Sequence, residues 1–288
     1  MTTLTRAAGI GLMLLAPLFW SSAGVVTRHI ETAPAFEQVF WRSLAAFVFI
    51  GLVLLFQGKL PWRAVRQLGP AGLFSGLMWA TMSTAFLVAL SLTTVANALV
   101  VMSIAPLLTA ALSFLLLKEE IPTRTWVAAI AAIIGMGWMF HSGFEPTHIA
   151  GMLVALIVPF GSAANLIALR MAHAKVDLIP AVMVGGVLGC LIALPLALPF
   201  SGTGNDILLL ALLGVFQLGL PCALLVVASR VLAPPEIALL SLLEVILGPL
   251  WVWLGAGERP AQATVVGGAI VLGALVLNEL GSLRRKPA

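Results

Sequence analysis

Glu244 is the one charged residue between Glu236 and Glu258, standing in the apolar run SLLEVILGPLWVW. Read as a helix at 1.5 Å per residue, this run places it about eight residues, roughly 12 Å, into its span. A carboxylate at that depth costs at least about 2.5 kcal/mol on insertion scales, so it needs a cavity, a partner or a proton. Two roles answer that need. Either Glu244 faces a cavity, where it meets a substrate ammonium or exchanges a proton, or it clamps a neighbouring helix by hydrogen bonding. Ser241, Gly248, Trp251 and Gly255 share its stripe at helical spacing.

A second group is aromatic and soft. Trp20 and Trp79 lie near mid-span, whereas membrane tryptophans usually gather in interfacial belts, the place expected for Trp62 and Trp126. Met78, Met82 and Phe86 accompany Trp79 and give the third span a polarizable surface suited to apolar or aromatic groups. Core or lipid packing is the other use of such a stripe. Asn97, Ser103, Ser162, Asn165 and Gln217 offer hydrogen bonds to a substrate's amino and carboxylate groups, or between helices, where each is worth about 0.6 kcal/mol. Asn97 and Asn165 also fall near span ends, within reach of headgroups.

Pro17, Pro106, Pro159, Pro221 and Pro249 each remove one helical hydrogen bond and free the carbonyl four residues back, those of Met13, Met102, Ala155, Gln217 and Val245. Freed carbonyls need neighbouring helices or a wet cavity. Gln217, central and next to such a break, leads the polar candidates, and Pro159 matches Pro17 in kinking its own half. Arg28, Arg42 and Arg170 near span ends are expected to snorkel to the interface, with an outer vestibule as the alternative for Arg42. Cys190 and Cys222 fall inside apolar runs and read as small apolar side chains, not as a disulfide or a zinc site.

These residues need helices to hold them. With 61% hydrophobic and 9% charged residues, against roughly 25% charged in a soluble domain, the chain belongs in lipid. Apolar stretches of roughly 20 residues, each long enough to cross a hydrocarbon core of about 30 Å, number about ten. They fall near 8–27, 36–56, 69–90, 93–117, 124–141, 148–170, 178–199, 206–229, 236–255 and 263–281. Twelve of the 15 Lys and Arg lie on the side of the N-terminus; Arg28, Arg42 and Arg259 lie opposite. That bias puts both termini in the cytoplasm. The basic residues sit in short gaps and form no single stripe, so no nucleic-acid partner is expected. There is no Gly-x-x-x-x-Gly-Lys loop, His-Glu-x-x-His helix or Gly-x-Ser-x-Gly elbow. The expectation is therefore a protein without cofactor or metal and without enzymatic machinery.

The chain also repeats its pattern. At a spacing of 142, Ala8, Gly9, Pro17 and Arg28 match Ala150, Gly151, Pro159 and Arg170. At a spacing of 138, Ser103, Glu120, Pro122, Ala131 and Gly135 match Ser241, Glu258, Pro260, Ala269 and Gly273. Two five-helix units, 1–144 and 145–288, each with an odd number of spans, must enter the bilayer in opposite senses, which places a transporter's site between them. Ala131 with Gly135, and Ala269 with Gly273, fit close helix packing, as scaffold or as a homodimer contact.

The segments SLTTVANALVVMSIAPLLTAALSFLLLKEEIP and VLAPPEIALLSLLEVILGPLWVWLGAGERP, each followed by a helix rich in small residues, resemble the paired units of the drug/metabolite transporter superfamily, and more narrowly its EamA-type family. The run SLLEVILGPLWVWLGAGE resembles the bacterial aromatic amino acid exporters. This resemblance spans about Arg6 to Gly281. It implies an all-α integral membrane fold of ten transmembrane helices, a central cavity and export of small metabolites. Pro106 stands opposite Glu244 in the repeat, so the cavity is not chemically symmetric. The combined expectation is a bacterial inner-membrane exporter of amino acids, preferably aromatic or apolar, working by alternating access. Trp20, Trp79 and Met82 would hold the side chain, and Gln217 and Glu244 the polar end. The alternatives are export of cationic drugs or other metabolites, with Glu244 as counter-ion, and a membrane scaffold that transports nothing.

Overall fold

Hydrocarbon offers the backbone no hydrogen-bond partners, so an apolar chain satisfies its own N–H and C=O groups, and a helix does so within one segment. The computed structural model describes residues 4–27, 29–93, 95–102, 104–140, 149–172, 177–256 and 262–283. Among them all regular structure is helical. The first half contains α1 (Arg6–Trp20), α2 (Ala23–Thr27), α3 (Ala35–Phe56), the short α4 (Pro61–Arg66), α5 (Gly69–Leu92), α6 (Val95–Met102), α7 (Ala105–Leu117) and α8 (Thr123–Phe140). The second contains α9 (Ile149–Ala155), α10 (Ile157–Met171), α11 (Ile179–Ala197), α12 (Gly204–Leu212), a π-helical segment (Leu213–Gly219), α13 (Leu220–Ala228), α14 (Pro234–Ser241), α15 (Leu243–Ala256) and α16 (Gln262–Leu283).

Six stretches of the described residues are long and apolar enough to cross a membrane: 6–27, 35–56, 69–92, 149–171, 179–197 and 204–228. The remaining long helical stretches, 95–117, 123–140, 234–256 and 262–283, lie where the other apolar runs were read. Large apolar side chains such as Phe56, Leu115, Leu153 and Leu196 stand outward and exposed, the surface a lipid-facing protein presents.

The helices depart from the continuous spans that the apolar runs suggested. Five of those spans are interrupted, at Ser21–Ser22, between Met102 and Ala105, at Leu156, through 213–219, and at Leu242. Proline explains two of them. α9 ends at Ala155, whose carbonyl Pro159 leaves unpaired, and α7 starts afresh after the turn at Ile104 with Pro106 in its first turn, where proline is tolerated. α1 instead runs through Pro17 and stops three residues later, where the Ser21 and Ser22 hydroxyls donate to the carbonyls of Leu18 and Phe19 at 2.9 and 2.7 Å. At Leu242 no proline is adjacent, but the Ser241 hydroxyl donates back to the Ile237 carbonyl at 2.8 Å, a bond that bends helices.

Glycine brings α11 close to α3 and α5. A Cβ on Gly185 would lie 2.6 Å from the Cβ of Trp79, and one on Gly189 would lie 2.6 Å from the Ser43 hydroxyl oxygen. α8 packs on α16, where a Cβ on Gly135 would meet the Gly267 carbonyl at 2.8 Å. Gly273, paired with Gly135 in the repeat, faces open space instead.

The two ends of the bundle are fastened differently. On the Arg6 end, Arg6 pairs with Glu236 at 2.7 Å, Lys59 and Arg230 share Asp177 at 2.6 and 3.1 Å, and Arg170 pairs with Glu119 at 2.8 Å. Arg170 thus reaches its interface but engages a carboxylate there. On the opposite end, carboxylates clamp backbone. Glu37 accepts from the N–H groups of Ser201 and Gly202 at 2.8 and 3.0 Å and from Trp41 Nε1 at 3.2 Å. Asp206 accepts from the N–H groups of Glu31, Thr32 and Thr203 at 3.0, 3.2 and 3.1 Å, and from the Thr32 hydroxyl at 2.7 Å. Arg28 lies outside the described residues.

Candidate functional site

Interrupted helices expose backbone groups that a continuous helix would hide, and in membrane proteins such breaks are tolerated where they line a cavity. Here all five interruptions border a cavity of about 150 Å³. Trp20 comes from the end of α1, Met102 and Ala105 from either side of the α6/α7 gap, and Pro159 from the first turn of α10. Gln217 comes from the π segment, and Ser241 and Glu244 flank Leu242. α3, α5 and α13 close the wall with Arg42, with Trp79, Met82, Ser83 and Phe86, and with Cys222.

The wall has an apolar part and a charged part. Trp20, Trp79, Met82 and Phe86 supply rings and a thioether, which suit a flat or apolar group. A cavity of about 150 Å³ lined by apolar side chains is enough to hold a benzene-sized ring. Opposite in character, Arg42 is only 1% exposed. Its Nη1 donates to Gln217 Oε1 at 3.0 Å, and its Nη2 donates to the carbonyl and hydroxyl of Ser83 at 2.8 and 2.6 Å. Glu244 is the second residue of α15, in the first turn, where the helix dipole favours a negative group. It is part-exposed and makes no hydrogen bond or ion pair with the described residues. Cys222 lines the same cavity.

Of the residues read from the sequence, Trp20, Trp79, Met82, Pro159, Ser162, Gln217 and Glu244 all border this cavity. Met78 packs against the hydrophobic core beside it and is not part of the lining. Ser103 and the side chain of Asn97 lie outside what the structure describes. Two expectations are corrected. Arg42 does not snorkel: two turns into α3, it is too deep for its head to reach water, and it turns inward to Ser83 and Gln217. Asn165 meets no headgroup; it is 1% exposed, lines the cavity, and its Oδ1 accepts from the Ser75 hydroxyl at 2.6 Å. Cys222 is buried and free, as an apolar side chain would be, yet it also faces the site. The signal that would have found Arg42 is its own depth, since the eighth residue of a 22-residue helix lies roughly 10 Å from that helix's start.

Residues 7–140, which supply Trp20, Arg42, Trp79 and Met82 to this wall, match the model of the EamA-like transporter family. That match falls within the first half of the chain. Over nearly its whole length the chain is similar to two curated exporters. It is 24% identical to the pseudopaline exporter CntI of Pseudomonas aeruginosa strain UCBPP-PA14, over 93% of this chain and 95% of that protein. It is 23% identical to the pseudopaline exporter CntI of strain PAO1, with the same coverage. A solved crystal structure, described only as that of a protein, superposes with a TM-score of 0.83 at 18% identity, covering 97% of this chain and 99% of its own. The likeness to that structure is one of fold. The family matched over the first half is one of transporters, both curated relatives are exporters, and six helical stretches of the described residues are long and apolar enough to cross a membrane.

Proposed function

We propose that this EamA-like chain exports a small amphipathic metabolite, in the first instance an aromatic or apolar amino acid, by alternating access between the units 1–144 and 145–288. The observation that carries this reading is a single cavity in which Trp20, Trp79, Met82 and Phe86 face the same space as Arg42, Gln217 and Glu244. An apolar group and a polar, charged end find complementary walls there. The inverted arrangement of the two units is supported by the matched spacing of 142 and 138 residues, by the family match ending at residue 140, and by breaks near Pro17 and Pro159 at corresponding places. Twelve basic residues gather on the side of both termini, which supports a cytoplasmic position for them and an inner-membrane location.

Efflux of radiolabelled phenylalanine from proteoliposomes tests the reading. Export above that of protein-free vesicles is expected, and equal rates would remove amino acids from the proposal. The relatives favour a second reading, export of a metabolite like pseudopaline. Competition by unlabelled pseudopaline against the labelled substrate separates the two.

A further inference from the structure

Arg42 is a buried cation without an anion. Three of the five N–H groups of its guanidinium are taken by neutral acceptors, Gln217 Oε1 and the two oxygens of Ser83. Nε has no partner, and no carboxylate of the described residues lies within 4.0 Å. A second group on the same wall is in the same position: Trp79 Nε1 is buried and unpartnered. Neither side chain has an acceptor atom, so only a molecule that brings acceptor oxygens satisfies both. A buried guanidinium asks further that those oxygens carry charge. Glu244 borders the same cavity but stands beyond ion-pair distance and is itself without a cationic partner. The cavity therefore holds one unmatched positive and one unmatched negative group.

We propose that Arg42 and Trp79 are the receptor for a carboxylate on the transported molecule, with Glu244 taking its cationic end, so that the substrate class is an amino-carboxylate and not a simple organic cation. This assignment rests on the exporter reading above. Ser83 and Gln217 position the guanidinium without neutralising it, and the incoming carboxylate supplies the missing charge.

Three probes that share one ring test it on the purified full chain in lipid nanodiscs: phenylalanine, phenethylamine, which lacks the carboxylate, and 3-phenylpropanoate, which lacks the ammonium. Binding is read by calorimetry. Phenethylamine should bind at least about tenfold more weakly than phenylalanine, the usual size of a lost charged hydrogen bond. Trp79→Phe, which keeps an aromatic ring and removes the N–H, and Arg42→Lys, which keeps the charge and removes the fork, should each weaken phenylalanine and 3-phenylpropanoate about five- to tenfold more than they weaken phenethylamine. Equal binding of phenylalanine and phenethylamine would overturn the receptor, as would carboxylate binding indifferent to both substitutions, or no binding of either carboxylate. The unaltered protein alone answers the first and last of these, so a variant that fails to fold does not decide the matter. Carboxylate binding without phenylalanine efflux would remove the amino-acid reading and keep the receptor; efflux with carboxylate-indifferent binding would do the reverse.

Discussion

Replacing Gly185 by alanine should loosen the packing directly behind the cavity, and the geometry sets how much. The added Cβ would lie 2.6 Å from the Trp79 Cβ and 3.1 Å from the Gly76 carbonyl oxygen. Ordinary contact begins at 3.4 Å, so α11 and α5 must part by roughly 0.8 Å. Neither obstacle can swing aside, because a Cβ and a carbonyl are fixed to their backbones. Overpacking costs about 1–3 kcal/mol, and two fixed obstacles put this case at the upper end, about 2–3 kcal/mol, from which alanine's better helix propensity returns about 1 kcal/mol. The net loss of about 1–2 kcal/mol corresponds to a fall in melting temperature of about 2–8 °C. Gly161→Ala is the matched comparison. Its Cβ would meet Met82 Cγ at 2.8 Å, the arm of a flexible side chain that can move into the cavity. Gly161→Ala should therefore melt within about 2 °C of the unaltered protein but bind ring-bearing probes more weakly. Thermal unfolding of both variants in the same detergent decides the point. A Gly185→Ala protein as stable as the original, or less affected than Gly161→Ala, would refute the reasoning.

Other outcomes follow from single contacts. If Glu244 exchanges a proton during transport, an imposed pH gradient should alter efflux by the unaltered protein and leave Glu244→Gln unresponsive; identical responses would exclude that role. Ser75→Ala strands Asn165 Oδ1 between α5 and α10 and should cost about 1–3 kcal/mol in denaturant unfolding, and no loss would mean the bond ties nothing. Asp177→Asn breaks two partly exposed ion pairs and should change stability by less than about 1 kcal/mol, so a larger loss would show that the Arg6 end depends on them. Glu37→Gln weakens the clamp on the loop after α11, and hydrogen exchange should accelerate at the amides of Ser201 and Gly202; unchanged exchange there would contradict the clamp.

What could be read from the residues was mostly what length and hydropathy control. An apolar run of about 20 residues has few alternatives to a helix in lipid, so the helical stretches lie within a few residues of their expected bounds. Interruptions were harder, because an apolar run looks continuous whether or not its hydrogen bonds are. Pro159 and Pro106 signal two of the breaks and Pro221 marks the end of a third, but the bend at Leu242 arises from a serine hydroxyl, and no residue announces that the turn at 213–219 widens to π pitch. The site divides in the same way. Glu244, Trp79 and Gln217 stand out as polar or aromatic groups in the wrong medium, which a sequence reveals. Arg42 was assigned to the surface because an arginine near a span end usually has water within reach, and only the fold brings Ser83 and Gln217 to it from other helices.

The π-helical segment has a consequence for how Arg42 and Gln217 stay together. A π turn accommodates one residue more than an α turn, and Gln217 lies within it. Returning that surplus residue to α pitch would rotate the helix on one side of the segment by about 100° relative to the other. Gln217 would then point away from Arg42, and a different side chain would be presented to the guanidinium. Winding alone, with no helix leaving its place, is thus enough to make or break the polar join between the first and second halves of the chain.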